Sequence, residues 1–228
     1  MKHIRFRRVT YIMAAVFLNV SVAAAEEEIA RPEQLVTLSQ ATLEHFIADP
    51  NMSWFRNNVS SAKAIFIVPE LLKAGFWFGG SGGSGALLAR DSKTGNWSYP
   101  AFYTMGNITF GLQIGAELSE VVLMVMTEKG LDSMLSTSVN LGADASVAAG
   151  PVGAGAKVAT ADILAFSRSK GIFAGLTVEG AAIAVRDKWN HAYYGKAVTP
   201  VDILVRRSVS NEQADALRSL VGKAAGGG

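Results

Sequence analysis

The chain has 228 residues, no cysteine and only three histidines, and its 21 basic and 19 acidic residues give a formal net charge of +2 at pH 7. Without cysteine there can be no disulfide framework, and this composition also argues against a structural zinc site. The balanced charge lacks the basic footprint that is typical of nucleic-acid-binding proteins, so no nucleic acid is expected as a partner.

The first 25 residues have the pattern of a signal peptide. Four basic residues precede an apolar segment that is short for a membrane span, and small residues at 23–25 are followed by three glutamates. Cleavage after Ala25 removes four of the 21 basic residues, which leaves 17 against 19 acidic ones and a charge of −2. We therefore expect an exported, periplasmic protein, either free or peripheral on a membrane, with an uncleaved anchor as the alternative.

An amphipathic helix is predicted at the start of the mature chain. Residues 29–48 place apolar side chains at helical spacing, and Pro32 suits the first turn. A short connector follows and carries Trp54 and Phe55. We expect residues 26–60 to form this helix and connector, and residues 61–228 to form the rest of a single domain.

From residue 61 the chain changes to short apolar runs rich in β-branched and aromatic residues, separated by glycines. This sequence pattern is typical of antiparallel strands. Strands are predicted near residues 64–68, 75–80, 85–91, 97–103, 108–115, 119–126, 139–148, 158–168, 171–178 and 180–186. Residues 92–96 are predicted to form a tight hairpin.

Short helices are predicted towards the C-terminal end. One covers residues 128–136 with Thr127 as its N-cap, and residues 187–195 form a turn or short helix. Two more begin at the N-caps Thr199 and Ser210.

The central strands are unusually rich in glycine and alanine. Glycine weakens a strand unless a neighbour must approach closely or the sheet must bend sharply. The repeated small residues therefore predict a strongly curled, largely antiparallel sheet or a small barrel. The expected fold class is α+β, with this sheet flanked by the N-terminal amphipathic helix and the short C-terminal helices.

The segment FWFGGSGGSG at residues 76–85 matches two motifs, the dinucleotide-binding spacing GxGxxG and the nucleophile-elbow spacing GxSxG centred on Ser81. Both motifs require a helix directly after the glycines, whereas residues 86–97 lead into a hairpin. We interpret the glycines as a β turn with positive φ and close backbone contacts, and expect no cofactor. A hydrolase using Ser81, with Asp187 and His191 following in the chain, is a distant alternative.

Several segments together resemble the SYLF domain. They are AKAIFIVPELLKAGFWFGGSGGSGALLARD (62–91), WSxPAF (97–102), GLQIGAE (111–117), GPVGAG (150–155), SRSKGIFAGLTVEGAAI (167–183) and NxxYYG (190–195). The resemblance runs in order from about residue 30 to about residue 205. The SYLF family includes eukaryotic endocytic proteins that bind phosphoinositides and, in fungi, actin filaments, and it also includes exported bacterial proteins regarded as lipid-binding.

The resemblance implies an exported, non-enzymatic protein of the bacterial envelope that binds phospholipid or another lipid, or a membrane surface. Electrostatic binding of phosphoinositide headgroups is expected to be weak, because the polar face of the first helix carries Arg31 beside Glu33 and Glu44. Actin is not an expected partner of an exported protein. The alternative is an envelope structural or protein-interaction module, such as a homo-oligomer packed through the first helix.

Cations that lie close to aromatic residues are the candidate lipid contacts, because the cations could hold a headgroup while the rings meet acyl chains. The candidates are Lys63, Lys73, Phe76, Trp77, Arg90, Trp97, Trp54, Phe55 and Lys170. The alternative interpretation is that the aromatic residues are core and the cations are solvated. Lys170 also has a structural alternative, an ion pair with Glu179 across a tight turn.

Overall fold

The structure is a computed structural model that describes residues 31–75, 78–110, 115–153, 160–169 and 179–226. It confirms the predicted α+β class, with a single domain built on a curled eight-stranded sheet and helices towards both ends of the chain. The predicted signal peptide and the predicted strand at 171–178 lie outside the described residues.

Six helices and three short 3-10 turns surround the sheet in the described part of the chain. The helices are α1 (31–48), α2 (Ser53–Asn58), α3 (Glu128–Met134), α4 (Asp187–Tyr194), α5 (Pro200–Leu204) and α6 (Asp215–Gly226), and the 3-10 turns are Pro50–Met52, Val59–Ser61 and Glu212–Ala214. None of the helices among the described residues has the length and hydrophobicity needed to cross a membrane.

The sheet has the strand order β5-β8-β3-β2-β1-β4-β7-β6. The strands are β1 (Ala64–Gly75), β2 (Phe78–Ala89), β3 (Ala101–Phe110), β4 (Gly115–Val125), β5 (Ser138–Asn140), β6 (Val147–Ala149), β7 (Ile163–Ser169) and β8 (Ala182–Val185). All neighbours are antiparallel except β6 and β7, which are parallel. Within the described residues the sheet is open, with β5 and β6 at its two edges.

The helix caps follow largely from the sequence. The Thr127 hydroxyl accepts a hydrogen bond from the Gly130 amide at the start of α3, and Thr199 forms a capping box with Asp202 at α5. The predicted cap at Ser210 is wrong. Asn211 caps the 3-10 turn there instead, and α6 begins only at Asp215.

The predicted strand boundaries are partly wrong, since several predicted breaks fall inside continuous strands. The predicted strands at 75–80 and 85–91 are one strand, β2, and β3 runs through the predicted gap between 103 and 108. Conversely, the predicted strand at 139–148 is interrupted by a turn, in which Gly142 has a φ of +96°.

The glycine run lies within β2 and does not form the turn. β1 ends at Gly75, which pairs with Gly79, and no described glycine of the run has a positive φ. The prediction of positive φ was therefore wrong, but close contact is confirmed. A Cβ at Gly83 would lie 2.4 Å from the Glu70 carbonyl oxygen, and one at Gly85 would lie 2.4 Å from the Phe66 ring.

A β-bulge at Pro69 and Glu70 interrupts β1. The pairing with β4 shifts register between Val68 and Leu71, so that Pro69 and Glu70 together lie opposite the single residue Glu120. The pairing with β2 shifts at the same place. Proline has no amide hydrogen to donate to a ladder, and a bulge bends the strand and increases its twist. The bulge therefore bends the sheet where the glycines of β2 allow β1 to approach.

Both faces of the sheet are covered at the end before the bulge. One face packs against α3, α5 and the segment 139–145, through a cluster that includes Phe66, Leu87, Tyr103, Leu123, Met134, Ile203 and Leu204. The other face packs against α1, α2, α4 and α6, through a cluster that includes Leu43, Phe46, Phe55, Ile65, Leu88, Phe102, Tyr193, Leu217 and Val221. This end of the sheet forms the hydrophobic core.

The NxxYYG motif on α4 fastens that helix to β3. The buried Asn190 side chain accepts a hydrogen bond from the Phe102 amide at 2.8 Å, and the Tyr194 hydroxyl donates to the Pro100 carbonyl at 2.6 Å. Gly195 ends the helix with a φ of +66°. The contacts of these residues are therefore structural.

Candidate functional site

Beyond the bulge, the face of the sheet on the α1 side carries exposed leucines. Leu72 on β1 and Leu118 on β4 are register partners, and their exposed fractions are 51% and 41%. Leu72 alternates with the buried Leu71, which belongs to the core on the opposite face, while Leu118 lies two residues from Glu120, which contacts α1. The two leucines therefore form an apolar step beside the helix.

A groove runs along α1 at this step. A cavity of about 490 Å³ is lined by Leu38 and Ala41 of the helix and by Pro69 and Leu118 of the sheet. A smaller cavity of about 190 Å³ shares Leu38, Pro69 and Glu70 with it. We call the two connected cavities the α1 groove. Its floor is the bulge itself, so the irregularity in β1 shapes the groove.

One end of the α1 groove carries a network of charged side chains. Glu120 accepts a hydrogen bond from Arg168 at 2.8 Å and lies 2.7 Å from Nδ1 of His45. Arg168 also donates to Asp49 at 3.0 Å. Because His45 lies on α1, Asp49 directly after it, and the other two on the sheet, the network fastens the C-terminal end of α1 to the strands.

The other end of the α1 groove, the smaller cavity, carries charges of both signs, because Arg31 and Glu70 line it and Arg186 contacts its lining residues Ser84 and Trp189. The Arg186 guanidinium lies 3.6 Å above the Trp189 ring and donates to the Ser84 hydroxyl at 2.6 Å. Burial lowers the pKa of Arg186, and the nearby charge of Arg31 lowers it further. No carboxylate of the described residues lies within 4 Å of the Arg186 side chain, so a positive charge borders the apolar part of the groove.

This arrangement suits a ligand with an apolar part and a polar end. Ser81 lies in the middle of β2, paired with Lys73 and Asn107, and so does not occupy the strand-to-helix turn of a nucleophile elbow. The described residues contain no cluster of histidine, aspartate and glutamate that could hold a metal ion. The groove is lined by apolar side chains together with a few charged groups, among them Glu70 where the two cavities meet, and a largely apolar pocket with a few polar groups is typical of ligand sites.

Of the predicted lipid-contact residues whose side chains the structure describes, none lines the α1 groove. Lys63 is paired with Glu128 at 2.7 Å, and Arg90 donates to the Ser60 carbonyl at 2.7 Å. Lys73 is half-buried on β1, beyond the bulge. Lys63 and Arg90 are neighbours, since the Arg90 amide donates to the Lys63 carbonyl at 2.7 Å, whereas Lys73 lies near the other end of β1.

The predicted aromatic contacts that are described lie in or on the core. Phe55 and Trp97 are buried, so a lipid could not reach them in this conformation. Trp54 stacks on Phe166 with ring centroids 6.0 Å apart. These rings dock the connector and the hairpin on the core. Phe76, Trp77 and Lys170 lie outside the part of the chain whose side chains are described.

The residues of the α1 groove were missed because an exposed leucine and a core leucine look alike in a sequence. One signal was available. A proline inside an otherwise regular strand pattern, as in IFIVPELL, indicates an edge strand or a bulge. Together with the glycine run on the neighbouring strand, Pro69 could have located the bend in the sheet.

Several known proteins are similar to this chain in sequence. Residues 106–224 match the family model Ysc84, described as "Las17-binding protein actin regulator". The chain is 39% identical over 154 residues to "LAS seventeen-binding protein 3" of Saccharomyces cerevisiae, which is 64% of this chain and 33% of that protein. It is 38% identical over 164 residues to "Protein YSC84" of the same species, which is 68% of this chain and 35% of that protein.

A human relative is more distant. "SH3 domain-containing YSC84-like protein 1" is 28% identical over 169 residues, 72% of this chain and 49% of that protein. The chain thus spans between a third and a half of the length of these relatives. No solved structure matches it significantly. Because the family model covers more than half of the chain, the chain belongs to the Ysc84 family, whose domain is the SYLF domain that the motifs resemble.

Proposed function

We propose that the protein is an exported, non-enzymatic lipid-binding module of the bacterial envelope, and that the α1 groove with the neighbouring leucines receives the apolar part of the lipid. The observation that carries this proposal is the pair Leu72 and Leu118. Large hydrophobic side chains with this exposure are few among the described residues, and these two lie side by side at the mouth of a cavity. Exposed apolar side chains that cluster are typical of binding surfaces.

The lipid is proposed to bind while α1 stays in place. Leu43 and Phe46 on α1 are fully buried against the sheet. Exposing one such side chain costs about 1.5–3 kcal/mol, so lifting the helix would require breaking a substantial part of the core. The exposed surface beyond the bulge needs no such rearrangement.

The charged ends of the α1 groove support an orientation for the ligand. Arg186 contacts Ser84 and Trp189, which line the smaller cavity, and a cation in this position can hold an anionic or zwitterionic headgroup while the chains lie towards Leu118. The end with Glu120 and Arg168 is already internally paired. We therefore propose that the headgroup faces the Arg186 end.

Flotation with vesicles of phosphatidylcholine, alone and with phosphatidylglycerol, tests the proposal. The double variant Leu72→Gln/Leu118→Gln removes the apolar step without adding charge. Val205→Gln is the matched control, because Val205 is 52% exposed and lies elsewhere, at the end of α5. We expect the double variant to lower vesicle binding at least tenfold, since transfer of each leucine into lipid is worth about 1.5–3 kcal/mol when burial is complete.

Two results would contradict the proposal. Either the unaltered protein fails to float with both vesicle types, or the double variant floats as well as Val205→Gln. Circular dichroism of each variant verifies that it is folded.

The second candidate is a protein-interaction module, because relatives bear the names of Las17-binding and actin-regulating proteins. The same leucines would then contact a protein, a second copy of the chain included. Co-sedimentation with actin filaments and the oligomeric state in solution test this candidate. Deletion of residues 26–50 is unsuitable for the purpose, because it would remove Leu43 and Phe46 from the core.

A further inference from the structure

A second cavity, of about 670 Å³, lies at the other end of β2 from the α1 groove. It opens between the segment that follows the 91–97 hairpin, the segment 196–210 and α6. Ser84 of β2 borders the α1 groove, whereas this cavity is lined from Trp97 onward, beyond the C-terminal end of β2. We call it the basic cavity, and it is separate from the proposed lipid site.

Three cations line the basic cavity, Lys196, Arg207 and Arg218. No aspartate or glutamate is among its lining residues, which otherwise include serine and tyrosine hydroxyl groups. The α1 groove, by contrast, is lined by Glu70 and Glu120. In a mature chain whose expected net charge is −2, three cations around one opening create a local positive potential that attracts anions.

Neighbouring groups hold the three cations in place and leave their charge only partly compensated. Lys196 donates to the Ser208 carbonyl at 3.2 Å, and no carboxylate of the described residues lies within 4 Å of its ammonium group. Arg218 lies 3.9 Å above the Tyr99 ring and is paired with Asp215 at 3.1 Å. These contacts fix the directions of the cations before any ligand arrives.

Arg207 is held most tightly. It is the one non-glycine residue of the described chain with a positive φ, +55°. Its guanidinium donates to the Asn96 carbonyl at 3.0 Å, and the nearest carboxylate, that of Asp91, is 3.8 Å away. Its Nε is buried and has no hydrogen-bond partner. A backbone conformation that is unfavourable for a residue with a Cβ, and a buried donor without a partner, both occur preferentially at functional sites.

We propose that the basic cavity binds an oxyanion of the phosphate-ester class through Lys196, Arg207 and Arg218. Arginine presents a planar set of donors that matches two oxygens of a phosphate group, and lysine adds a point charge. A lipid headgroup and a soluble phosphate share this chemistry. The site goes beyond the proposed lipid function, because it uses other residues at the opposite end of the sheet.

Titration calorimetry with inorganic phosphate, and flotation with phosphatidylcholine vesicles with and without phosphatidic acid, test this inference on the whole chain. Lys196→Gln removes one cation from an exposed position, and Arg207→Gln removes a second. Arg206→Gln is the matched control, since Arg206 has the same charge but is paired with Asp202 and does not line the cavity. We expect Lys196→Gln to raise the Kd for phosphate about tenfold and Arg206→Gln to leave it unchanged.

Binding of phosphate without any preference for phosphatidic acid would assign the site to a soluble phosphate, and a preference that Lys196→Gln abolishes would assign it to a headgroup. The inference is overturned if neither probe binds, or if Arg206→Gln weakens binding as much as Lys196→Gln. The variant Leu72→Gln/Leu118→Gln separates this inference from the lipid proposal, because it alters the α1 groove and leaves the basic cavity intact. Even if Arg207→Gln does not fold, Lys196→Gln still decides the question.

Discussion

The two halves of strand β1, on either side of the bulge at Pro69 and Glu70, have different environments. Residues 64–68 before the bulge are completely buried, and layers of helices and connecting segments cover both faces of the sheet there. After the bulge, Leu72 is more than half exposed on the side of α1. The register shift of a single residue thus separates a segment that is covered on both faces from one that is covered only on the face of Leu71, away from α1.

Under the proposed function, this difference separates the part of β1 that stabilises the fold from the part that binds lipid. The buried half holds the strand in place through contacts on both faces, so the exposed half can present apolar side chains without support from additional helices. A binding surface on the strand of a rigid scaffold is better positioned than one on a loop.

The largest expected effect is on the buried half. Phe66→Ala should lower the free energy of unfolding by about 3–5 kcal/mol, because its fully buried ring packs edge-on against Tyr103 with centroids 6.0 Å apart. Leu72→Ala, in the same strand but beyond the bulge, should change it by no more than about 0.5 kcal/mol. Urea unfolding monitored by circular dichroism measures both. Equal losses for the two variants would show that the halves do not differ.

A pair of glycines on β2 sharpens the comparison. Gly85→Ala should lower the free energy of unfolding by about 1–3 kcal/mol, since the new Cβ would lie 2.4 Å from the Phe66 ring and 2.7 Å from the Ile67 carbonyl oxygen. Gly82→Ala should be close to neutral, because its Cβ would have no contact nearer than the Met105 carbonyl oxygen at 4.0 Å. Thermal unfolding of the two variants checks this, and a larger loss for Gly82→Ala would contradict the close packing beside the bulge.

A smaller effect on stability is expected from the hydrogen bonds that Asp162 accepts at the start of β7. Hydrogen bonds from the Thr127 hydroxyl, and then from the Ser146 hydroxyl and amide, hold the pKa of Asp162 well below its ordinary value. A folded-state pKa below the unfolded one stabilises the protein above about pH 4, and that contribution is lost as the pH falls further.

Asp162→Asn should therefore lower the free energy of unfolding by about 1 kcal/mol at pH 7 and flatten its fall between pH 5 and pH 3. Urea unfolding at pH 7, 5 and 3 measures this. Asp132→Asn, at an exposed position on α3, is the control and should follow the unaltered protein. An unchanged pH dependence in Asp162→Asn would mean that these hydrogen bonds do not distinguish the folded from the unfolded state.

Much of the fold could be predicted from the sequence because its signals are local. Helix caps such as Thr127 and Thr199 depend on residues three positions away. The change from a helical to a strand pattern of apolar residues near residue 61 is also visible in the amino-acid composition. The predicted strand boundaries are wrong where residues that favour a turn locally are held in a strand by pairing with a neighbouring strand. Gly106 and Asn107 indicate a turn by composition, yet they lie inside β3, paired with Gly82 and Ser81 of β2.

Less of the candidate site could be predicted from the sequence, because the site depends on which face of the sheet the helices leave uncovered. Leu72 and Leu118 fit a core pattern, and only the shift at Pro69 together with the end of α1 leaves them exposed. Trp97 and Phe55 are aromatic residues of the type found at membrane contacts, and in the structure both are buried in the core. Burial of this kind depends on the packing of distant segments, which a single sequence does not specify.

The most direct test of the central claim is amide hydrogen exchange with and without phosphatidylcholine vesicles. The claim is that the half of the sheet beyond the bulge receives lipid while the covered half and α1 stay intact. We predict slower exchange in residues 71–75 and 115–119 when vesicles are present, and unchanged exchange in residues 31–48 and 64–68. Faster exchange throughout residues 31–48 would contradict the claim, because it would mean that α1 leaves the sheet and that the covered face takes the lipid.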